Sequence, residues 1–414
     1  MRLFSLVIMV LCALIIACGD KGPNFSPTSP SAISSKSANI NSSMVRKEDC
    51  GNSNDQEPDD TELKNCLDRG GRIELEYGNP GYIVNGLNGD PTQGLYLTRS
   101  GTVLTSSGGG KARIIAGRDL YAGILQTRGS VNDFIIENIS FDGMVDEMAE
   151  DGPYRRRRED CGEQGTPGNI FLIGYGFQFK NNESKNAMCG TGLGLYGKFD
   201  VQHNSIASNG RDKNSGGAGF PWADGMTVLY CDGGYIAHNV LVDNTDIDLV
   251  LGGGQGCVVE LNTIVHSGKY AFAGLNIGNF DSPSGGDHSG SEYRGNIVYS
   301  KVPDHLGMGI NVGSHMWNGQ VNISHAGRVI ANTVYGANVN MLVDGVYGGE
   351  ISGNNIYDPQ GNDQVGSCRR INYGVFPPHV ANTVLQDDWE RLPGSNEACS
   401  GEELSIRRFK KFLF

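Results

Sequence analysis

Val201-Gln202-His203-Asn204, Ile236-Ala237-His238-Asn239 and Val259-Glu260-Leu261-Asn262 are one pattern written three times: a short run of alternating apolar residues closed by asparagine. The pattern recurs as Ile135-Ile136-Glu137-Asn138, Phe179-Lys180-Asn181-Asn182, Tyr293-Arg294-Gly295-Asn296, Val329-Ile330-Ala331-Asn332 and Ile351-Ser352-Gly353-Asn354. The asparagines are separated by 44, 22, 35, 23, 34, 36 and 22 residues. Three gaps give a unit of 22–23 residues, 44 reads as a doubled unit, and the other three read as a unit plus about a dozen inserted residues. A fixed period of this size marks a solenoid, with one coil per repeat. Leucine-rich repeats have a similar length but need leucines at fixed offsets, which this pattern lacks.

The composition agrees. Of 414 residues 61 are glycine, whereas charged residues are 19%. Glycine supplies the left-handed corners that every coil needs, and no Gly-X-Y period points to collagen. Before the repeats, Asp60-Thr61-Glu62-Leu63-Lys64-Asn65-Cys66-Leu67-Asp68 reads as an amphipathic helix with an N-cap, followed by Gly70-Gly71 and a strand. A solenoid must cover its open end. The fold expected is therefore an all-β solenoid with an N-terminal capping helix. It resembles the pectin-lyase-like superfamily over about residues 60–360, which implies a right-handed parallel β-helix. The resemblance implies that corner asparagines stack inside the coils as amide ladders.

The chain divides into residues 1–17, 18–48, 49–364 and 365–414. Arg2 and the apolar run Leu3–Ala17 describe an export signal, too short to span a bilayer comfortably. Ile15-Ile16-Ala17-Cys18 resembles the lipobox of bacterial lipoproteins, which implies cleavage before Cys18 and its acylation (palmitate among the chains). Residues 19–48, rich in Ser, Pro and Asn, read as a flexible tether. The expected location is the bacterial cell envelope, in the outer membrane on its periplasmic or surface side, with the lipid as the membrane contact. Residues 365–414 are expected to form a C-terminal cap, whose amphipathic Ile406–Phe414 packs on the last coil or touches a membrane surface.

With Cys12 in the signal and Cys18 lipidated, eight cysteines remain, an even number that suggests disulfides in an exported chain. Near-neighbour pairs are expected: 50–66, 161–189, 231–257 and 368–399. A net charge of −13 argues against nucleic acid as a partner. A monomer is expected.

Equivalent positions of successive coils stack about 4.8 Å apart, so a site should be a column of polar residues. Asp246 lies seven residues after Asn239, Lys269 seven after Asn262, and Asp224 one period before Asp246. Alternation through Asp246-Ile247-Asp248-Leu249-Val250-Leu251 predicts the aliphatics inside and both aspartates on the solvent face. Arg211 lies seven after Asn204. Insertions carrying Trp222, and Phe280 with His288, are expected to wall the groove. Trp222 and Phe280 either stack on sugar rings or anchor their loops. His305 and His315 are further groove candidates. The run Arg155–Arg158 either binds an anionic polymer or is a solvated loop balanced by Glu159 and Asp160.

Three carboxylates close together need compensation. Calcium held by Asp224, Asp246 and Asp248, with Asp243 nearby, supplies it. Lys269 would then take the C5 proton of a uronic acid in a β-elimination, with Asp246 and Arg211 as partners. This arrangement is similar to β-helical polysaccharide lyases, although Asp246-Ile247-Asp248 replaces their adjacent Asp-Asp pair. The substrate implied is a polysaccharide, anionic in the lyase case, bound also by Trp222, Arg211, Phe280 and His288. The alternatives are a glycoside hydrolase with paired aspartates as acid and base, and a glycan-binding or adhesion protein without chemistry. β-Elimination is favoured over hydrolysis by the lysine beside the aspartates.

Overall fold

The computed structural model describes residues 44–45, 49–144, 168–210, 222–278, 287–302, 305–313, 324–337, 339–343, 346–357, 364–365 and 407–408. Its coils are all-parallel and present three faces. The first face stacks, among others, Ile170–Lys180, Gly190–Gln202, Ala223–Asp232, Ile247–Leu251, Ala271–Ile277, Leu306–Val312 and Val339–Val343. The second stacks Tyr235–Ala237, Val258–Glu260, Glu292–Arg294 and their equivalents, partly on the same long strands. The third is a ten-stranded sheet from Tyr82–Val84 to Asn355–Tyr357. Every coil visits the faces in the order second, third, first. The chain is a parallel β-helix.

The corner from the second face to the third is the most regular part. Its asparagines Asn182, Asn204, Asn239, Asn262, Asn296, Asn332 and Asn354 are at most 2% exposed. Asn239 Nδ2 donates to Asn262 Oδ1 at 2.9 Å, and Asn262 Nδ2 to Asn296 Oδ1 at 3.0 Å. Each also donates to a backbone carbonyl of the preceding coil, Asn262 to Ile236 O. The residue just before each ladder asparagine turns left-handed: His203 (φ 57°), His238 (57°), Leu261 (55°), Gly295 (62°), Ala331 (54°) and Gly353 (61°).

Asn138 does not belong to this ladder. Glu137 lies beside Lys180, which places Asn138 alongside Asn181, and both have left-handed φ near 55°. Asn182 Oδ1 instead accepts from the amide of Ile139. The 44-residue gap is accordingly a single coil with an insertion and not a doubled unit, because Ser140 pairs directly with Glu183.

Helix α1 (Asp60–Arg69) closes the first coil with Leu63, Cys66 and Leu67 buried, and Gly70 (φ 69°) ends it. The expected N-cap differs in detail. Asp59 makes no side-chain cap bond; it accepts from the amides of Asn52 and Ile83 at 2.8 Å each. Asp60 accepts from Asn85 and Gly86. Both carboxylates thus tie the cap to the coil beneath. The core continues from α1 through Ile73, Leu104, Ile136, Phe179, Val201, Ile236, Val259, Tyr293, Val329 and Ile351, all at most 2% exposed.

Cys50–Cys66 and Cys231–Cys257 are disulfides, as their spacing suggested, and Cys189 is also disulfide-bonded. Cys18, Cys161, Cys368, Cys399 and the Arg155–Arg158 run lie outside the described residues, as does nearly all of the expected C-terminal cap. Among the described residues no helix is long and apolar enough to cross a membrane.

Candidate functional site

The chemistry-bearing residues gather at the corner from the third face to the first, where coil lengths vary. Asp224 is half-buried near the start of Ala223–Asp232. Met226 pairs with Leu249, which sets Asp224 beside Ile247 and not beside Asp246. The Ile247 amide donates to Asp224 Oδ1 at 3.2 Å and Thr227 Oγ1 donates to Oδ2 at 2.7 Å. Asp246 is 7% exposed, and its carbonyl accepts from the amide of Phe272 at 2.6 Å.

Lys269 does not stack on the two aspartates. Ile247 pairs with Ala273, so the strand residue eight after Asn239 matches one eleven after Asn262. Three extra corner residues, Ser267-Gly268-Lys269, make equal offsets from asparagine fall on different places of the coil. The Lys269 ammonium reaches back and donates to Ser208 O and Gly210 O, each at 3.0 Å. Its amide donates to Asp243 Oδ1, together with those of Ser267 and Gly268. Burial would raise the Asp243 carboxyl, but these backbone donors outweigh it and hold it below its usual value. Lys269 and Asp243 are a strut across three coils.

Asp248 overturns the expected solvent face. It is fully buried. Its neighbours Ile247 and Leu249 pair with Ala273 and Leu275, so it runs alongside Gly274, where a Cβ would point at Val298 and Ile264 inside the coil. Two successive residues, 248 and 249, face inward, and Ile247 stays outside the core cluster that holds Leu249 and Leu251. Asp248 Oδ1 accepts from Asn244 Nδ2 at 2.8 Å, and Oδ2 is bonded to Nε2 of fully buried His266. His266 Nδ1 donates to Lys269 O at 3.1 Å. Burial disfavours the imidazolium, yet the charge and hydrogen bond of Asp248, the Lys269 carbonyl and Asp243 together raise its pKa.

The three aspartates therefore do not converge on one cation, because Asp248 is sealed inside with His266 and Asn244. Among the described residues no group of three or more His, Cys, Asp or Glu side chains is placed to hold a metal ion. What remains at this corner is half-buried Asp224 with Asp246, which is 7% exposed. Burial first, then the charge of Asp246 and that of Asp248, push Asp224 well above the ordinary carboxylate range. Burial raises Asp246 to about 7. Two neighbouring carboxyls whose protonated forms are both favoured by burial can give and take a proton.

His288 is not a groove residue. It is buried, its Nε2 donates to Gly278 O at 3.1 Å, and Nδ1 accepts from the Tyr293 hydroxyl at 2.6 Å. Burial lowers its pKa to about 4, so it is a neutral clamp. Trp222 is half-buried directly before the Asp224 strand, and His305 is half-buried. Arg211, Phe280 and His315 lie outside the described residues. The sequence reading missed His266; its signal was a histidine closing an alternating strand, Thr263-Ile264-Val265-His266, one coil below a buried acid.

No known protein family and no curated protein matches the chain by sequence. Among solved structures it is similar to the A-module of mannuronan C-5 epimerase AlgE6 of Azotobacter vinelandii, at 15% identity over 76% of this chain and 94% of that one, TM-score 0.42. The surface adhesin PfbA of Streptococcus pneumoniae matches at 10% identity, 76% and 91% coverage and TM-score 0.38. The catalytic domain of a GH87 α-1,3-glucanase, in complex with nigerose, matches at 12% identity, 82% and 69% coverage and TM-score 0.37. At such identities the likeness is one of fold.

Proposed function

We propose that this chain is an exported protein, anchored by a lipid at Cys18, that cleaves a polysaccharide with Asp224 and Asp246 as the acid–base pair. The observation that carries the reading is two carboxyl groups at one corner: Asp224, held by the Ile247 amide and the Thr227 hydroxyl, and Asp246, 7% exposed and just before Ile247 in the chain; burial raises both. A protonated carboxyl can protonate a glycosidic oxygen while its ionised partner activates water or attacks the anomeric carbon. The long outer face of a solenoid suits an extended polymer, and the resemblance to the pectin-lyase-like superfamily supports a glycan as that polymer.

Hydrolysis is favoured over β-elimination by the position of Lys269. A base needs a lone pair aimed at substrate, whereas this ammonium donates to Ser208 O and Gly210 O. The test is a panel of polygalacturonate, alginate, α-glucan and β-glucan, with and without chelator. New reducing ends without unsaturated-uronate absorbance, abolished in Asp224→Asn and Asp246→Asn, are expected. Unsaturated products lost on chelation and in Lys269→Ala would restore the calcium-dependent lyase. Binding without chain shortening would leave the non-catalytic adhesin. Acylation is tested separately by palmitate labelling of wild type against Cys18→Ala.

A further inference from the structure

Two irregularities in the first face fall on neighbouring coils. The pairing of Ile170–Lys180 with Gly190–Gln202 slips between Tyr175 and Phe177. That of Gly190–Gln202 with Ala223–Asp232 slips between Leu195 and Tyr196, so that Tyr196 pairs with Tyr230. A bulge inserts one residue and re-aims the side chains beside it. Gly176 provides the first, with φ 77° and no room for a Cβ, which would sit 2.3 Å from Asp133 Oδ1. The Tyr175 amide is fixed by Asn132 Oδ1 at 2.9 Å.

The outcome is a cluster of tyrosines on the outside of the helix. Tyr196 and Tyr230 lie with ring centroids 5.2 Å apart and planes 35° apart. Tyr175 is 46% exposed, and its influence on the Tyr230 phenol places it in the same cluster. Exposed Asp232 acts on both phenols and, after burial, holds them neutral to higher pH. Exposed Lys198 is in register with Tyr175. The cluster shares a strand with one member of the acid pair: Asp224 and Tyr230 both lie on Ala223–Asp232, six residues or about 20 Å apart at ~3.3 Å per residue. Between them the Phe171 ring lies over Gly194, where a Cβ would come within 2.1 Å of it.

We infer that Tyr175, Tyr196 and Tyr230 form a stacking subsite for pyranose rings of a polysaccharide, with Lys198 and Asp232 as hydrogen-bonding partners for its hydroxyls. Flat aromatic faces fit the C–H faces of sugar rings, and mixed charges beside them fit neutral hydroxyls better than a strongly anionic or purely apolar partner. The inference rests on the glycan reading of the acid pair and extends it along the same strand.

The experiment measures affinity of the full chain for the same four glycans by affinity electrophoresis, alongside steady-state cleavage. Tyr175→Ala/Tyr230→Ala is expected to weaken binding of the recognised glycan roughly tenfold or more and to raise KM with little change in kcat. Tyr175→Phe/Tyr230→Phe should retain binding, because the ring is kept. Asp224→Asn/Asp246→Asn should abolish turnover and leave retention intact. Equal retention of wild type and the double alanine variant, or no retention of wild type by any of the four, overturns the subsite. Tyrosine-dependent retention without cleavage would uphold the subsite and overturn the acid–base reading instead.

Discussion

The two corners that flank the third face behave in opposite ways. At the entry corner every coil from Asn182 to Asn354 spends one left-handed residue and one buried asparagine, and side-chain amides join successive coils. At the exit corner the chain length changes from coil to coil, and the connections are individual: Asn209 with Asn244, Lys269 with Ser208 and Gly210, Asp248 with His266. A repeated hydrogen-bond pattern enforces register, so the entry corner has no freedom to host anything else. The exit corner is free to lengthen, and the carboxyls with displaced pKa values stand there.

The sharpest way to break this contrast is to remove a rung. Asn262→Leu deletes both donors and the acceptor that serve Ile236, Asn239 and Asn296. A loss of about 3–5 kcal/mol is expected in denaturant unfolding, since several buried polar groups lose partners at once. A loss under about 1 kcal/mol would mean that the ladder does not set the register.

Next in size is the pH response of the exit corner. The folded pKa of Asp246, about 7, exceeds the unfolded value of ~3.9. Its contribution to stability is therefore complete below about pH 4 and is lost as pH rises through about 7. Asp246→Asn should match wild type near pH 4 and exceed its melting temperature near pH 8. A constant difference across that range would contradict the raised pKa.

Lys269→Met should cost about 1–2 kcal/mol by leaving two carbonyls without their donor. Glycan cleavage measured on the folded fraction should stay within a few-fold of wild type. A collapse of turnover with unchanged stability would make Lys269 the base after all.

The smallest effect belongs to the entry corner again. Leu261 is 51% exposed and left-handed (φ 55°), at a position filled by glycine in the coils of Gly295 and Gly353. Leu261→Gly should be neutral or stabilising by up to about 1 kcal/mol in thermal unfolding, because it removes a backbone conformation that costs other residues energy. A clear destabilisation would show that the leucine side chain packs usefully on its neighbours.

The same contrast explains what could be read from sequence. The entry corner repeats, so Asn204, Asn239 and Asn262 announced the solenoid and its period. Even there, Asn138 misled by one residue, because asparagine suits the left-handed position as well as the ladder position. At the exit corner, counting seven residues from each asparagine assumed a constant corner, and Ser267-Gly268-Lys269 broke the count. Alternation placed Leu249 and Leu251 correctly and failed at Asp248, because two adjacent residues face inward where the strand begins. Asp224 and Asp246 stand out in the sequence as charged residues one period apart, while the partner of Asp248, His266, and the tyrosine cluster depend on pairings that no single strand displays.

The asparagine ladder has a direction. In every step between ladder asparagines the earlier one gives the N–H and the later one the side-chain oxygen: Asn182 waits on Asn204, Asn204 on Asn239, Asn239 on Asn262, Asn262 on Asn296, and Asn332 on Asn354. A coil made first is thus left with unanswered donors until its successor has been laid down. A chain cut off after any coil would therefore expose unanswered amide donors at one end of the stack, the end away from the capping helix.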